Sequence, residues 1–257
     1  MLFDYEWFKK EIFKFANIDL NSYKEQQMKR RIDSLINKNK FSGYREFLKE
    51  LVNNKNLYGE FLSHLTINVS EFYRNPEQWK ILEQKILPKL IKSKGNKIKI
   101  WSAACSTGDE PYTLVMLMAE FMPLNEVKVL ATDIDDQIIA EAQKGIYNSR
   151  SLNSLPDKWK NTYFKKVGNV YYIDDLVKSR VEFRKHDLLL EEYISDCDLI
   201  VCRNVLIYFT NEAKNKMFQK FYNSLVDDGV LFIGSTEQIS NYQNYGFSRK
   251  GLFFYNK

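Results

Sequence analysis

The segment from Lys97 to Tyr112, KIKIWSAACSTGDEPY, runs an alternating strand straight into a turn of small residues and then into a helix. Ile98 and Ile100 share one face of the strand, and Pro111 suits a first helical position, where no backbone N–H is needed. A strand, a small-residue turn and a helix open a doubly wound α/β sheet, in which a ligand lies across the carboxyl ends of the strands. The turn has no G-x-G-x-x-G, only Gly108 with Ala103, Ala104 and Ser106. Asp109 and Glu110 stand at the helix start, where they would repel a diphosphate. The turn therefore predicts a ligand with a positive group rather than a dinucleotide.

Alternation of strands and helices continues from Lys97 onward, which is the pattern of a parallel sheet. Val127 to Thr132 reads as a second strand, Leu199 to Cys202 as a fully buried one, and Val230 to Ile233 as another after a turn at Asp228-Gly229. Gly246 to Tyr255 reads as a terminal strand pair. The alternation breaks over about 145–185, where Asn169–Ile173 and Arg180–Phe183 flank Asp174-Asp175 and suggest a small antiparallel insertion.

Residues 1 to about 66 carry helical periodicity and no strand signal. Tyr5, Phe8, Ile12 and Phe15 make one apolar stripe. Met28, Ile32, Leu35 and Ile36 make a second, with Lys24, Arg30, Arg31 and Lys38 on the opposite side. Ser42 is placed to cap a third helix. Thr66 to Arg74 is short and polar, a connection between two regions. The expected division is a helical unit over 1–70 and an α/β domain over 71–257.

Composition excludes several classes. With 257 residues, 44% hydrophobic and 15% aromatic, the chain can bury a full globular core. No apolar run approaches the roughly 18 residues that span a bilayer, and the acidic, interrupted Met1–Trp7 is unlike a signal peptide. Three cysteines suit a reducing interior. A cytoplasmic protein without membrane insertion is expected. A net charge of +5 is mild and reads as a local basic surface rather than a nucleic-acid footprint, so no nucleic-acid partner is expected. The cysteines have no metal-ligand spacing and read as buried spectators, and His64 and His186 are the only histidines, so neither a metal site nor a nucleophilic triad is expected.

Asp133 ends the second strand, where doubly wound folds place an acid on ribose hydroxyls. Taken alone it reads rather as a cap of the next helix, as Asp135 or Asp136 does. Taken with Asp109-Glu110 and a turn unsuited to phosphate, it points to S-adenosylmethionine, which has ribose, a sulfonium and an amino-acid tail but no phosphate.

Six blocks carry a family resemblance: TINVSEFYR from Thr66, WSAACSTGDEPY from Trp101, ATDID from Ala131, HDLL from His186, CRNVLIYF from Cys202 and GSTE from Gly234. In these blocks, and in their order, the chain resembles the CheR family of chemotaxis receptor glutamate methyltransferases. The resemblance implies a Rossmann-like methyltransferase domain with a small antiparallel β insertion, preceded by an all-α domain. It implies methyl transfer from S-adenosylmethionine to glutamate carboxylates of chemoreceptors, with S-adenosylhomocysteine as product and no metal.

Residue by residue, Asn68, Ser70 and Arg74 would contact the cofactor, Glu110 its ammonium and Asp133 its ribose. Asp187 and Leu188 would flank the adenine, and Asn204 with Val205 the methionyl side. Ser70 stands where the family usually has Thr, Tyr73 where Phe is frequent, and Asp109 where Glu is common. Arg74 is the candidate for orienting a carboxylate, with Tyr208 as a wall of the site. Arg203 reads as a surface ion-pair partner as readily as a site residue. Lys24, Arg30, Arg31 and Lys38 would meet the acidic receptor. The short turn at Gly168, where tether-binding members carry a longer loop, favours action without a receptor C-terminal tether. Two other readings compete: a small-molecule methyltransferase, and a non-catalytic module that binds S-adenosylmethionine or S-adenosylhomocysteine.

Overall fold

In the computed structural model the residues described are 2–66, 70–95 and 97–257. Helical periodicity at the N-terminus becomes α1 (Leu2–Ala16), α2 (Glu25–Lys38), α3 (Tyr44–Asn53) and α4 (Lys55–Leu65). Their apolar faces meet in one core, where Phe8, Phe47 and Phe61 are buried with ring centroids 5.9–6.2 Å apart. Phe15 falls outside the expected stripe: it is 42% exposed and stands edge-on to Tyr58. Ser42 is not the cap of α3. Gly43 takes that position, and Ser42 donates its N–H and hydroxyl to Glu46 at 2.6 and 2.7 Å. Asn54 caps α4 by accepting from the Asn56 and Leu57 amides.

Beyond the connection, α5 (Pro76–Ile81) passes through a π turn at Leu82–Ile86 into α6 (Leu87–Lys94). There follow β1 (Ile100–Ala103), α7 (Asp109–Met118), β2 (Val129–Asp133), α8 (Asp136–Lys144), β3 (Ile146–Asn148), α9 (Asp157–Tyr163), β4 (Phe164–Val167) and β5 (Val170–Ile173). The chain closes with α10 (Asp175–Lys178), β6 (Val181–Lys185), β7 (Cys197–Cys202), α11 (Asn211–Ser224), β8 (Leu225–Ile233), β9 (Ser248–Arg249) and β10 (Phe254–Asn256). The main sheet has seven strands in the order β6-β2-β1-β7-β8-β10-β9, parallel from β6 to β8, with β10 antiparallel to β8. All six residues of β7 are buried, as a central parallel strand requires.

Two sequence expectations are corrected. Arg180–Phe183 does not belong to the antiparallel insertion. Val181–Phe183 lies in β6, the edge strand of the main sheet, parallel to β2 with Val129 opposite Val181, and Arg180 just precedes it. Asp174 caps the short α10, which carries the chain across so that β6 returns in the parallel sense. The insertion is β3-β5-β4, and its hairpin turns at Gly168-Asn169, where Gly168 has φ +60°. Asp228-Gly229 is not a turn between elements either. β8 runs through it, with a register shift against β7 between Cys197 and Leu199 and Asp228 at φ +64°. Gly229 is required there, since a Cβ would come within 2.8 Å of the Val226 carbonyl.

Candidate functional site

Strand order reverses between β1 and β7, so a crevice opens above their carboxyl ends. It encloses about 1000 Å³, its opening to solvent included, and both halves of the chain line it. Tyr23, Leu65 and Thr66 come from the helical side, Arg74 from the connection, and the remainder chiefly from residues that follow β1, β2, β6 and β7.

The turn after β1 is wound tightly. Ala104 and Ser106 adopt left-handed conformations at φ +64° and +49°, and Gly108 follows at φ +87°. Each left-handed non-glycine residue costs roughly 1–2 kcal/mol, a strain of the kind that collects at ligand sites. The turn is held because the Cys105 amide donates to the Thr132 carbonyl at 2.9 Å and the Ser106 amide to Asp133 Oδ2 at 2.8 Å. Non-glycine residues thus do what a glycine-rich loop does elsewhere, and the side chains of Asp109 and Glu110 are left at the start of α7.

Asp133 is 6% exposed, and its Oδ1 accepts the Asp135 amide at 3.2 Å. It does not cap α8. Asp135 does, accepting from the Gln137 and Ile138 amides, which leaves Asp133 facing the crevice. Burial pushes its carboxyl up to about 6. Glu110 accepts the Ser102 hydroxyl at 2.8 Å and lies 3.7 Å from the Arg203 guanidinium. Burial raises it to about 7, and Arg203 opposes that rise. Asp109 is fully buried, bonded by the hydroxyls of Thr107 and Ser70 and also raised by burial to about 6, with Oδ1 unpartnered. Ser70 therefore reaches the crevice with its hydroxyl on Asp109.

Asn204 follows β7 with φ +62°, and its amide donates to Glu237 Oε2 at 2.7 Å. The Gly234 and Ile207 amides converge on the same carboxylate, at 2.9 and 3.3 Å. Glu237 thus fixes the loop that presents Asn204, Val205 and Tyr208 to the crevice. Asp187 closes a tight turn by accepting the Leu189 and Leu190 amides on Oδ1, at 2.7 and 3.4 Å, and buried Leu188 stands beside it. Half-buried Tyr208 has its phenol pushed up by burial, against the pull of Arg31 and Arg74. The structure thus brings Ser70, Arg74, Glu110, Asp133, Asp187, Leu188, Asn204, Val205 and Tyr208 to one crevice. Asn68 lies outside the described residues.

The four basic residues of the α2 region do not share one face. Lys24, Arg30 and Lys38 are exposed, and Lys38 pairs with Glu60 at 2.6 Å. Arg31 turns inward and donates to the carbonyls of His64 and Leu65, at 2.7 and 3.3 Å, closing the C-terminus of α4. Arg203 is no surface residue: its side chain is 3% exposed. Sequence reasoning also gave no role to Tyr23, whose ring packs 4.8 Å from that of Phe209 on the crevice wall. In sequence Glu237 carries no role beyond its place in the GSTE block. Its position three residues after Gly234 was the signal that it bonds back onto its own loop.

Two buried carboxylates lining a crevice at the carboxyl ends of parallel strands, with no glycine-rich phosphate loop, accord with a methyltransferase that uses S-adenosylmethionine. The chain belongs to the CheR methyltransferase family. Residues 4–66 match the CheR methyltransferase all-alpha domain, and residues 68–251 match the CheR methyltransferase SAM binding domain. A chemotaxis protein methyltransferase of Listeria monocytogenes is 44% identical over 254 residues, covering 99% of this chain and 97% of its own. One from Borreliella burgdorferi is 34% identical, over 91% of this chain and 88% of its own. Among solved structures, a TehB-like SAM-dependent methyltransferase of Corynebacterium glutamicum aligns over 70% of this chain and 92% of its own, at a TM-score of 0.38 and 16% identity. No helix among the described residues is long and apolar enough to cross a membrane.

The buried acids give a pH signature with a defined sign. Glu110 at about 7, and Asp109 and Asp133 at about 6, hold protons more tightly folded than unfolded. Their contribution to stability is complete below the ordinary carboxylate range and is lost as pH rises through 6 to 7. Ligand-free protein is expected to melt at a lower temperature at pH 8 than at pH 6, with S-adenosylhomocysteine recovering part of the difference. Glu110→Gln should narrow the gap in thermal scans. A gap of unchanged width would show that Glu110 does not titrate in this range.

Proposed function

We propose that this chain is a protein-glutamate O-methyltransferase that esterifies side-chain carboxylates of chemoreceptor cytoplasmic domains. The carrying observation is the crevice itself, lined by the buried carboxylates of Glu110 and Asp133 together with Arg74 and Tyr208. The residues fit S-adenosylmethionine: Glu110 would take the ammonium, Asp133 the ribose hydroxyls, and Asp187 with Leu188 the adenine. Asn68, Ser70, Asn204 and Val205 would complete the enclosure. When bound, S-adenosylmethionine supplies a methyl group on a sulfonium, an activated leaving group.

The protein's task is then mainly positional. A glutamate side chain, with a reference pKa of about 4.3, is already ionised near neutrality, so no general base is called for. Arg74 would orient that carboxylate without neutralising it, with the Tyr208 phenol beside it, and the narrow crevice would exclude water. The helical unit before about residue 70 would recognise the receptor and the domain after it would carry out the transfer, in the cytoplasm. The two-residue turn at Gly168 and Asn169 supports action without a receptor tether. A small-molecule substrate would leave the exposed basic surface of α2 without a role, and a non-catalytic module would need neither Arg74 nor Tyr208 in the crevice.

Two measurements test this reading. S-adenosylhomocysteine is expected to bind and NAD not to, and Asp133→Ala should weaken binding by ~1–3 kcal/mol, the cost of leaving buried partners unpaired. Unchanged affinity in calorimetry would remove Asp133 from the site. Separately, Arg30→Glu, without touching the inward-turned Arg31, should raise the apparent KM for receptor at low salt. The effect should fade above roughly 0.15 M, where the Debye length is ~8 Å. A KM indifferent to charge at low salt would remove α2 from the recognition face.

A further inference from the structure

Arg203 has a setting that its place at the end of β7 does not demand. Its guanidinium packs against two touching rings, 5.3 Å from the centroid of Trp79 and 4.8 Å from that of Phe232. Nη2 donates to the Arg74 carbonyl at 2.8 Å and to Gln78 Oε1 at 2.8 Å, with Asn75 Oδ1 at 3.3 Å. Nη1 faces Glu110 Oε2 at 3.7 Å. A buried cation of this kind is costly to desolvate, and an apolar side chain of similar volume would suit two aromatic faces at least as well. What the cation does, and an apolar group could not, is connect Glu110 to the backbone of Arg74.

That backbone needs holding. Tyr73 and Asn75, on either side of Arg74, are both left-handed, at φ +56° and +60°. Two donors meet at the Arg74 carbonyl between them: the Trp79 indole N–H at 2.9 Å and Arg203. Glu110, for its part, pairs with Arg203 at 3.7 Å. Ser102 from β1 donates to it, Glu237 after β8 repels it, and the buried thiols of Cys105 and Cys202 stand close by.

We propose that Arg203 is a positioning residue that serves both ends of the reaction: it keeps Glu110 charged to receive the ammonium of the cofactor tail, and it fixes the backbone that presents Arg74. The first half rests on the assignment of the ammonium to Glu110. Occupation of the tail subsite and placement of the Arg74 side chain then share one guanidinium, so neither is set independently of the other.

The test uses the full chain and two ligands, S-adenosylhomocysteine and 5′-methylthioadenosine, which has the same nucleoside and no amino-acid tail. Calorimetric affinities are taken from pH 6 to 9 for the parent and for Arg203→Gln. The variant should move the pH at which S-adenosylhomocysteine affinity rises upward by about one unit or more, so that affinity near pH 7 falls at least about fivefold. Binding of 5′-methylthioadenosine should stay within about twofold, because no charge pairs with its tail position. Methyl transfer at pH 8.5 and saturating S-adenosylmethionine should remain well below the parent, because the Arg74 carbonyl has lost its guanidinium.

Equal losses for both ligands at every pH, or an unmoved pH midpoint, would overturn the first half. Full recovery of turnover at pH 8.5 would overturn the second. Glu110→Gln separates the premise from the proposal: if it leaves the preference for the tailed ligand intact, the ammonium assignment fails, whatever Arg203 does. Should Arg203→Gln not fold, Gln78→Glu keeps the cation and sets a competing carboxylate against Nη2. The same upward shift of the midpoint is then expected, and its absence would count against the proposal.

Discussion

Arg74→Ala is expected to lower methyl transfer to a receptor domain by on the order of 10²–10³-fold, the usual loss when one preorganised group facing the reacting atoms is removed. S-adenosylhomocysteine affinity should fall far less. The contrast follows from placement. Arg74 and Tyr208 line the crevice as partly exposed side chains, whereas Glu110 and Asp133 line it almost wholly buried. A group that acts mainly on the transition state lowers turnover without a matching loss of ground-state binding. Equal losses in kcat/KM and in S-adenosylhomocysteine affinity would make Arg74 a cofactor ligand instead.

Gly234→Ala should be nearly as damaging, although residue 234 offers no functional group. A Cβ there would lie 2.4 Å from Glu237 Oε2 and 2.9 Å from the Asn204 amide, closer than atoms can approach. Glu237 would be displaced from the amides it holds, each left buried at a cost of ~1–3 kcal/mol. Asn204 would lose the restraint on its left-handed backbone. A drop in melting temperature together with at least about a tenfold loss of S-adenosylhomocysteine affinity is expected, one such unpaired amide being enough to produce it. Parent-like affinity would show that the Glu237 bonds do not shape the site.

Much of this arrangement could be read before any coordinates. The alternation after Lys97 places the sheet, and the acids of the turn exclude a dinucleotide, because both depend on local pattern and charge. The features that could not be read are those in which a residue's neighbours come from far along the chain. Periodicity assigns Arg30 and Arg31 to the polar side of α2. Only the packing of α4 against it turns Arg31 inward, onto the carbonyls of His64 and Leu65.

Arg203 is similar: a charged residue after a buried strand looks exposed until Trp79 and Phe232 close over it. β6 looked like half of a hairpin because its alternation is compatible with either pairing direction, and the crossover through α10 decides the matter. The left-handed Ala104 and Ser106 are legible only from dihedral angles, since neither is a residue type that favours them.

The central claim is that the chain places a methyl group on glutamate carboxylates of a chemoreceptor. It is tested most directly by incubating the protein with methyl-labelled S-adenosylmethionine and a receptor cytoplasmic domain, then releasing the label with mild base. The account predicts label in the receptor band, volatile as methanol after base treatment, and absent with Arg74→Ala. Label resistant to base, or label found only in free small molecules, would contradict it.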